Sequence, residues 1–147
     1  MSGVTVRGGC HCGYLTFQAH LTRATSDYAP RACDCSFCRK HGAAWLSDPQ
    51  GAVLVRTRGE AVRYRQGSEQ AEFIACPHCA VLVLVACEID GRLRAAINAR
   101  AVEHDAEHDE PFATEQTASP QRLQADAKRE RWEQVWFADV RIANAGD

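Results

Sequence analysis

Cys76-Pro77-His78-Cys79-Ala80-Val81-Leu82-Val83-Leu84-Val85-Ala86-Cys87 carries two signals in one stretch. The run Val81 to Ala86 is apolar without interruption, which reads as a buried strand and makes a poor helix start. The four residues before Ala80 place two cysteines at a spacing at which a turn brings both sulfurs onto one ion. A buried strand hung from a cysteine turn makes this a sheet structure in which cysteines organise the turns.

Working outward, Phe73-Ile74-Ala75 leads into that turn, and Asp90-Gly91 is a hairpin turn into a strand from Leu93 to Ile97. Ala52 to Arg56 and Ala61 to Arg65 are further strands on either side of Gly59. Val4 to Arg7 and Tyr14 to Gln18 alternate apolar and polar residues, the period of a half-buried strand. Many short strands with turn signals predict a mainly β fold, a small domain of short antiparallel strands. The last third differs. Glu103 to Glu110 is an acidic run that Pro111 closes, and Ser119-Pro120 has the form of an N-cap and a first helical turn. Leu123, Ala127, Trp132, Val135 and Trp136 then fall mostly on one helical face. The expected division is a zinc-binding β domain over residues 1–102, with residues 103–147 an acidic segment and a C-terminal amphipathic helix packing on it.

The chain has 147 residues, 46% of them hydrophobic and 24% charged, a composition that folds as one globular domain. The nine apolar residues from Cys79 to Cys87 fall far short of the ~20 a membrane helix needs. The first residues hold no apolar secretory core, so the expectation is a cytoplasmic protein without a membrane partner. Residues 1–102 carry 12 Lys/Arg against 8 Asp/Glu, and residues 103–147 carry 5 against 11. A pI near 6.3 and the lack of interleaved aromatics argue against nucleic acid. Eight cysteines are the unusual number. In a reducing compartment such clusters point to metal or redox chemistry.

Seven of the eight fall in three groups: Cys10 and Cys12, then Cys33, Cys35 and Cys38, then Cys76 and Cys79. Two pairs make a closed four-thiolate site, and the triplet is left with one open position, the catalytic pattern for zinc. The alternative is that all seven hold the fold, with Cys87 or His41 completing the triplet. Cys87, inside the apolar run, reads as a small buried residue. Cys76-Pro77-His78-Cys79 would suit thiol–disulfide exchange if a helix followed, but a strand follows. His11 and His41 adjoin the cysteine turns and could move a proton or simply hydrogen-bond. His104 and His108 lie in the acidic run and read as solvated surface.

Gly9-Cys10-His11-Cys12-Gly13, Cys33-Asp34-Cys35-Ser36-Phe37-Cys38-Arg39-Lys40 and Cys76-x-x-Cys79, in this order, resemble the glutathione-dependent formaldehyde-activating enzyme (Gfa) family. That family includes centromere protein V-like proteins. The resemblance spans roughly residues 5 to 100. It implies a β-rich zinc domain with a structural zinc on Cys10, Cys12, Cys76 and Cys79, and a catalytic zinc on Cys33, Cys35 and Cys38. It implies carbon–sulfur lyase chemistry, a thiol such as glutathione adding to formaldehyde or another small aldehyde. Arg39 and Lys40 are the expected contacts for the thiol's carboxylates, with Arg31 and Arg56 further candidates by sign. Two positions depart from the family pattern. Asp34 stands where histidine is frequent and is expected to disfavour an anion beside the triplet. Ala80 stands where glycine is common, so its turn either avoids a left-handed residue or accommodates one at a cost.

Overall fold

The computed structural model describes residues 3–103, 110–119 and 123–144. Its strands are β1 Val4–Gly9, β2 Leu15–Leu21, β3 Arg31–Cys33, β4 Ala44–Leu46, β5 Ala52–Thr57, β6 Val62–Tyr64, β7 Glu72–Ala75, β8 Leu82–Ile89, β9 Arg92–Asn98, β10 Gln116–Ala118 and β11 Asp139–Asn144. Two helices, α1 Ser36–His41 and α2 Ala125–Val135, complete the regular elements besides two 3-10 turns. The strands form a four-stranded sheet ordered β1-β2-β5-β11 and a seven-stranded sheet ordered β10-β3-β4-β9-β8-β7-β6. The chain is mainly β, as its strand periodicity predicts.

Every strand anticipated from periodicity is present, and burial explains the pattern of β2 and β8, whereas the edge strand β6 is exposed throughout. In β2, Leu15, Phe17, Ala19 and Leu21 are buried while Thr16, Gln18 and His20 face water. Those four residues pack with Val53 and Val55 of β5 against Leu84 and Ile97 of the larger sheet, forming the core between the sheets. β8 does not alternate because both of its faces are covered. Leu84 and Ala86 enter the inter-sheet core, whereas Val85, Cys87 and Ile89 enter a second cluster with Trp45, Ala96 and Trp136. The hairpin after β8 has φ of 53° at Asp90 and 77° at Gly91, the doubly left-handed turn that an Asp-Gly pair favours.

The C-terminal part departs from expectation in three ways. Ser119 is not a helix cap: its hydroxyl donates to Asp34 Oδ2 at 2.6 Å, and α2 starts at Ala125 after Gln124. Pro120 lies outside the described residues, as do His104 and His108. No α2 residue is fully buried; Trp132 and Val135 are half-buried and Trp136 ends the helix. The segment also supplies two strands, and both pair in parallel, β10 with β3 and β11 with β5. A parallel partner needs a crossover, and α2 precedes β11 as part of one. The sequence held a trace of β11 in the alternation of Val140 and Ile142.

One carboxylate fastens the two sheets. Asp48, just after β4, accepts the Thr22 N–H at 2.9 Å, the Thr22 hydroxyl at 2.6 Å, the Tyr28 hydroxyl at 2.6 Å and the Gln50 N–H at 2.9 Å. Thr22 follows β2 of the smaller sheet, whereas Tyr28 leads into β3 of the larger. Burial at 3% exposure raises the carboxyl's pKa, but the four hydrogen bonds win and hold it down to about 2, below its ordinary 3.8. A folded-state pKa below the unfolded value stabilises the fold above pH 4, and that contribution disappears as pH falls toward 2. The shift is equivalent to about 2 kcal/mol. Asp48→Asn is therefore expected to cost about 2 kcal/mol at pH 7 and to flatten the loss of stability between pH 4 and pH 2. Denaturant titrations of both chains across that range test it; parallel pH profiles would remove the role given to Asp48.

Candidate metal centres and the cavity above one of them

Cys10 and Cys12 sit in the connection between β1 and β2, and Cys76 and Cys79 in the connection between β7 and β8. These turns belong to different sheets, yet their four sulfurs lie within 4.8 Å of one another. Cys12 Sγ is 3.8 Å from Cys10 Sγ and 3.6 Å from Cys76 Sγ. An ion ~2.3 Å from each of four tetrahedral sulfurs would set them roughly 3.8 Å apart, so the geometry already fits a metal. Backbone N–H groups point at the same sulfurs, Leu15 at Cys10 (3.2 Å) and His78 and Cys79 at Cys76 (both 3.3 Å). Such donors stabilise thiolate over thiol.

The two turns close alike, Cys10 N–H to the Leu15 carbonyl and Cys76 N–H to the Val81 carbonyl. The residue after the second cysteine is left-handed in both, with φ of 84° at Gly13 and 67° at Ala80. The chain therefore accommodates the left-handed conformation at an alanine, with the strain that a Cβ brings.

The second group is built differently. Cys33 ends β3, Cys35 is the N-cap of α1 and Cys38 lies within that helix, a short helix where sequence suggested only a turn. Gly42, left-handed at φ 63°, ends it by donating its N–H to the carbonyls of Cys38 and Arg39. All three cysteines are buried, and their sulfurs also lie within 4.8 Å of one another. Cys35 Sγ accepts the Cys38 N–H at 3.4 Å, and Cys38 Sγ accepts the Trp45 indole N–H at 3.4 Å. Among the described residues no fourth His, Cys, Asp or Glu joins them. Cys87 is buried in the same apolar cluster, where burial raises its thiol pKa, and it stands outside the group. His41 is exposed and its ring lies 4.6 Å from that of Phe37. His11 is exposed beside the first turn.

The protons of both groups are unevenly held. The Cys38 thiol, with Cys35 and backbone help, brings Cys33 down to about 6, and Cys38 is pushed up in return. The Val81 N–H, with the neighbouring sulfurs, brings Cys79 down to about 6. The Tyr14 N–H pulls Cys12 down, but burial and the three sulfurs around it prevail and raise it to about 11. Crowded sulfurs cannot all be anionic unless a cation sits among them. Either group could hold a metal ion.

The triplet opens onto a cavity of about 510 Å³, and among the described residues that line it none belongs to the four-cysteine group. Trp45, Phe73 and Val85 of the larger sheet form its apolar wall, and α2 lies across it with Lys128, Arg131 and Trp132. Lys128, Arg131, Trp132 and Val135 share one helical face, which is why α2 buries so little. On that face Trp132 and Val135 pack against the apolar cluster of the larger sheet, and Lys128 and Arg131 line the cavity with them. Arg31 lies on the same face of β3 as Cys33 and donates from Nη2 to Ser47 Oγ at 2.7 Å; Ser47 in turn donates to the Val135 carbonyl at 2.6 Å. Burial, and then Arg131, lower the Arg31 pKa to about 10.

The chain matches no family model and no curated protein. It is similar in fold to a crystal structure of a Rhodobacter sphaeroides protein, with 24% sequence identity and a TM-score of 0.54 over 73% of this chain and 99% of that one. The likeness is one of fold.

The charged residues around the triplet are not those expected. Arg39 and Lys40 are exposed on the last turn of α1 and do not line the cavity, because a six-residue helix that turns Cys38 inward turns its neighbours out. Arg56 lies on β5 of the other sheet. Asp34, between two inward cysteines, accepts from Ser119 and does not line the cavity, although its charge still acts on Cys33 and opposes its ionisation. Of the residues named by sign, Arg31 alone lines the cavity. Lys128 and Arg131 were missed, although their spacing with Trp132 and Val135 was readable as a mixed face of α2.

The left-handed Ala80 gives a direct test of the first turn. Ala80→Gly is expected to stabilise the metal-loaded chain by about 1 kcal/mol, and Ala80→Val to destabilise it by more. Thermal unfolding of the three chains checks this; a lower Tm for the glycine variant would show that the turn carries no strain there.

Proposed function

We propose that this chain is a two-zinc enzyme that adds a small thiol, glutathione or a similar one, to formaldehyde or another small aldehyde, as its resemblance to the Gfa family implies. The observation that carries the reading is the contrast between the groups: four sulfurs close one site, whereas three sulfurs open onto a cavity. Zinc on the triplet supplies a fourth position at which an incoming thiol loses its proton more readily.

The rest falls to the chain's own residues. Cys33, Cys35 and Cys38, from one short β3–α1 segment, would hold the ion, and its Lewis acidity would be what the reaction gains from it. The Trp45 indole N–H and the Cys38 N–H draw charge from two of those sulfurs, which leaves more electrophilic character for the substrate. Trp45, Phe73 and Trp132 keep the cavity apolar, so water competes poorly for the open position. Arg31, Lys128 and Arg131 attract an anionic thiol to it. In the addition, a sulfur–carbon bond forms as the carbonyl π bond opens onto oxygen, and the proton lost by the thiol ends on that oxygen. No net acid, base or redox partner is consumed.

The loaded chain is expected to contain two zinc ions, the triplet's being the first lost to a chelator. Cys35→Ser should release that ion and retain the other. Exchange between free and glutathione-bound formaldehyde, followed by NMR, should quicken with the protein and return to background with Cys35→Ser. Two zincs without faster exchange would leave a non-catalytic zinc module. Reversible Cys76–Cys79 oxidation without bound metal would favour a redox protein.

A further inference from the structure

We propose that the thiol taken over Cys33, Cys35 and Cys38 is an acid without an amine, a mercapto-carboxylate with an apolar body. This rests on the reading above and narrows it. Among the described residues three cations line the cavity, Arg31, Lys128 and Arg131, and no aspartate or glutamate does. Zinc on the three thiolates would carry a net charge of −1, so the three cations leave the loaded cavity positive, which suits an anion. Among the described residues none of the three cations forms a salt bridge.

Arg31 fixes where the acid group goes. It lies two residues before Cys33 on β3, so both side chains leave the same face of the sheet roughly 6.6 Å apart at the backbone. Its bond to Ser47 uses one guanidinium N–H and holds the group in place, leaving the remaining donors for a carboxylate. Lys128 and Arg131 reach the same space from α2. The cavity also offers Phe73, Val85 and Trp132 as apolar surface, which suits a ring or short hydrocarbon. An α-ammonium entering here meets three positive charges and no carboxylate. Glutathione and cysteine, which both carry one, are expected to be accepted but bound more weakly than an amine-free thiol acid.

All three tryptophans of the chain, Trp45, Trp132 and Trp136, line this cavity, so their fluorescence reports its occupancy. The zinc-loaded full chain would be titrated with 2-mercaptobenzoate, thiophenol, benzoate and glutathione, by calorimetry and by tryptophan quenching. The mercapto-acid is expected to bind about tenfold more tightly than each of the other three. Lys128→Gln and Arg131→Gln should each weaken it about three- to tenfold and leave thiophenol unchanged. Arg31→Gln should weaken it further; if that variant does not fold, the two helix variants still decide. Glutathione binding as tightly as the mercapto-acid, or helix variants without effect, would overturn this assignment and leave the thiol–aldehyde reading standing. Benzoate binding as tightly as the mercapto-acid would show that the thiol does not reach the cysteines, and both readings would fall.

Discussion

Four sulfurs from two separate turns meet at one end of the inter-sheet core, and the arrangement of everything else follows from that meeting. Cys10 and Cys12 close the hairpin of one sheet, and Cys76 and Cys79 close a hairpin of the other. Two small sheets sharing a core of leucine, valine and alanine bury limited area, so a metal ion bound by these four sulfurs would set their separation and angle more firmly than packing alone. Cys10 and Cys76 belong to that core, and Asp48 fastens the sheets through Thr22 and Tyr28. Held there, the sheets leave β8 central in the larger one with both faces covered.

The second face of β8 is where chemistry becomes possible. A sheet that had finished its folding task on one side would present polar residues on the other. Here it presents Val85, Cys87 and Ile89, and the β3–α1 segment brings three buried cysteines down onto that face. α2 completes the enclosure without filling it, because its inward face carries Lys128 and Arg131 among its apolar residues. The seven clustered cysteines thus fall into two groups, four at the inter-sheet core where they could hold an ion, and three lining a cavity on the other face of the larger sheet.

Much of this was legible in the chain. The unbroken run Val81 to Ala86 and the alternation in β2 specify their strands, because the period of burial is written directly in the side chains. The partition of the cysteines was legible too, since ligand number and short spacing are local properties. What escaped were features that depend on a distant partner. β11 holds only Val140 and Ile142 as apolar signals and gains its identity by pairing with β5. Ser119 has the residue type of a helix cap but is claimed by Asp34, 85 residues away. Arg39 and Lys40 have the right sign and adjacency, yet the helix that buries Cys38 turns both toward water.

Sequence by itself determined a mainly β chain whose cysteines come in two pairs and a triplet, because strand period and ligand spacing are set within a few residues. Only the tertiary structure decided where in the fold the two pairs meet, which face of the larger sheet receives the triplet, and which cations look onto it. Those outcomes rest on how two sheets pack and where a crossover helix lands. A charge contributes to a site through the direction of its side chain, and that direction is fixed by contacts made far along the chain.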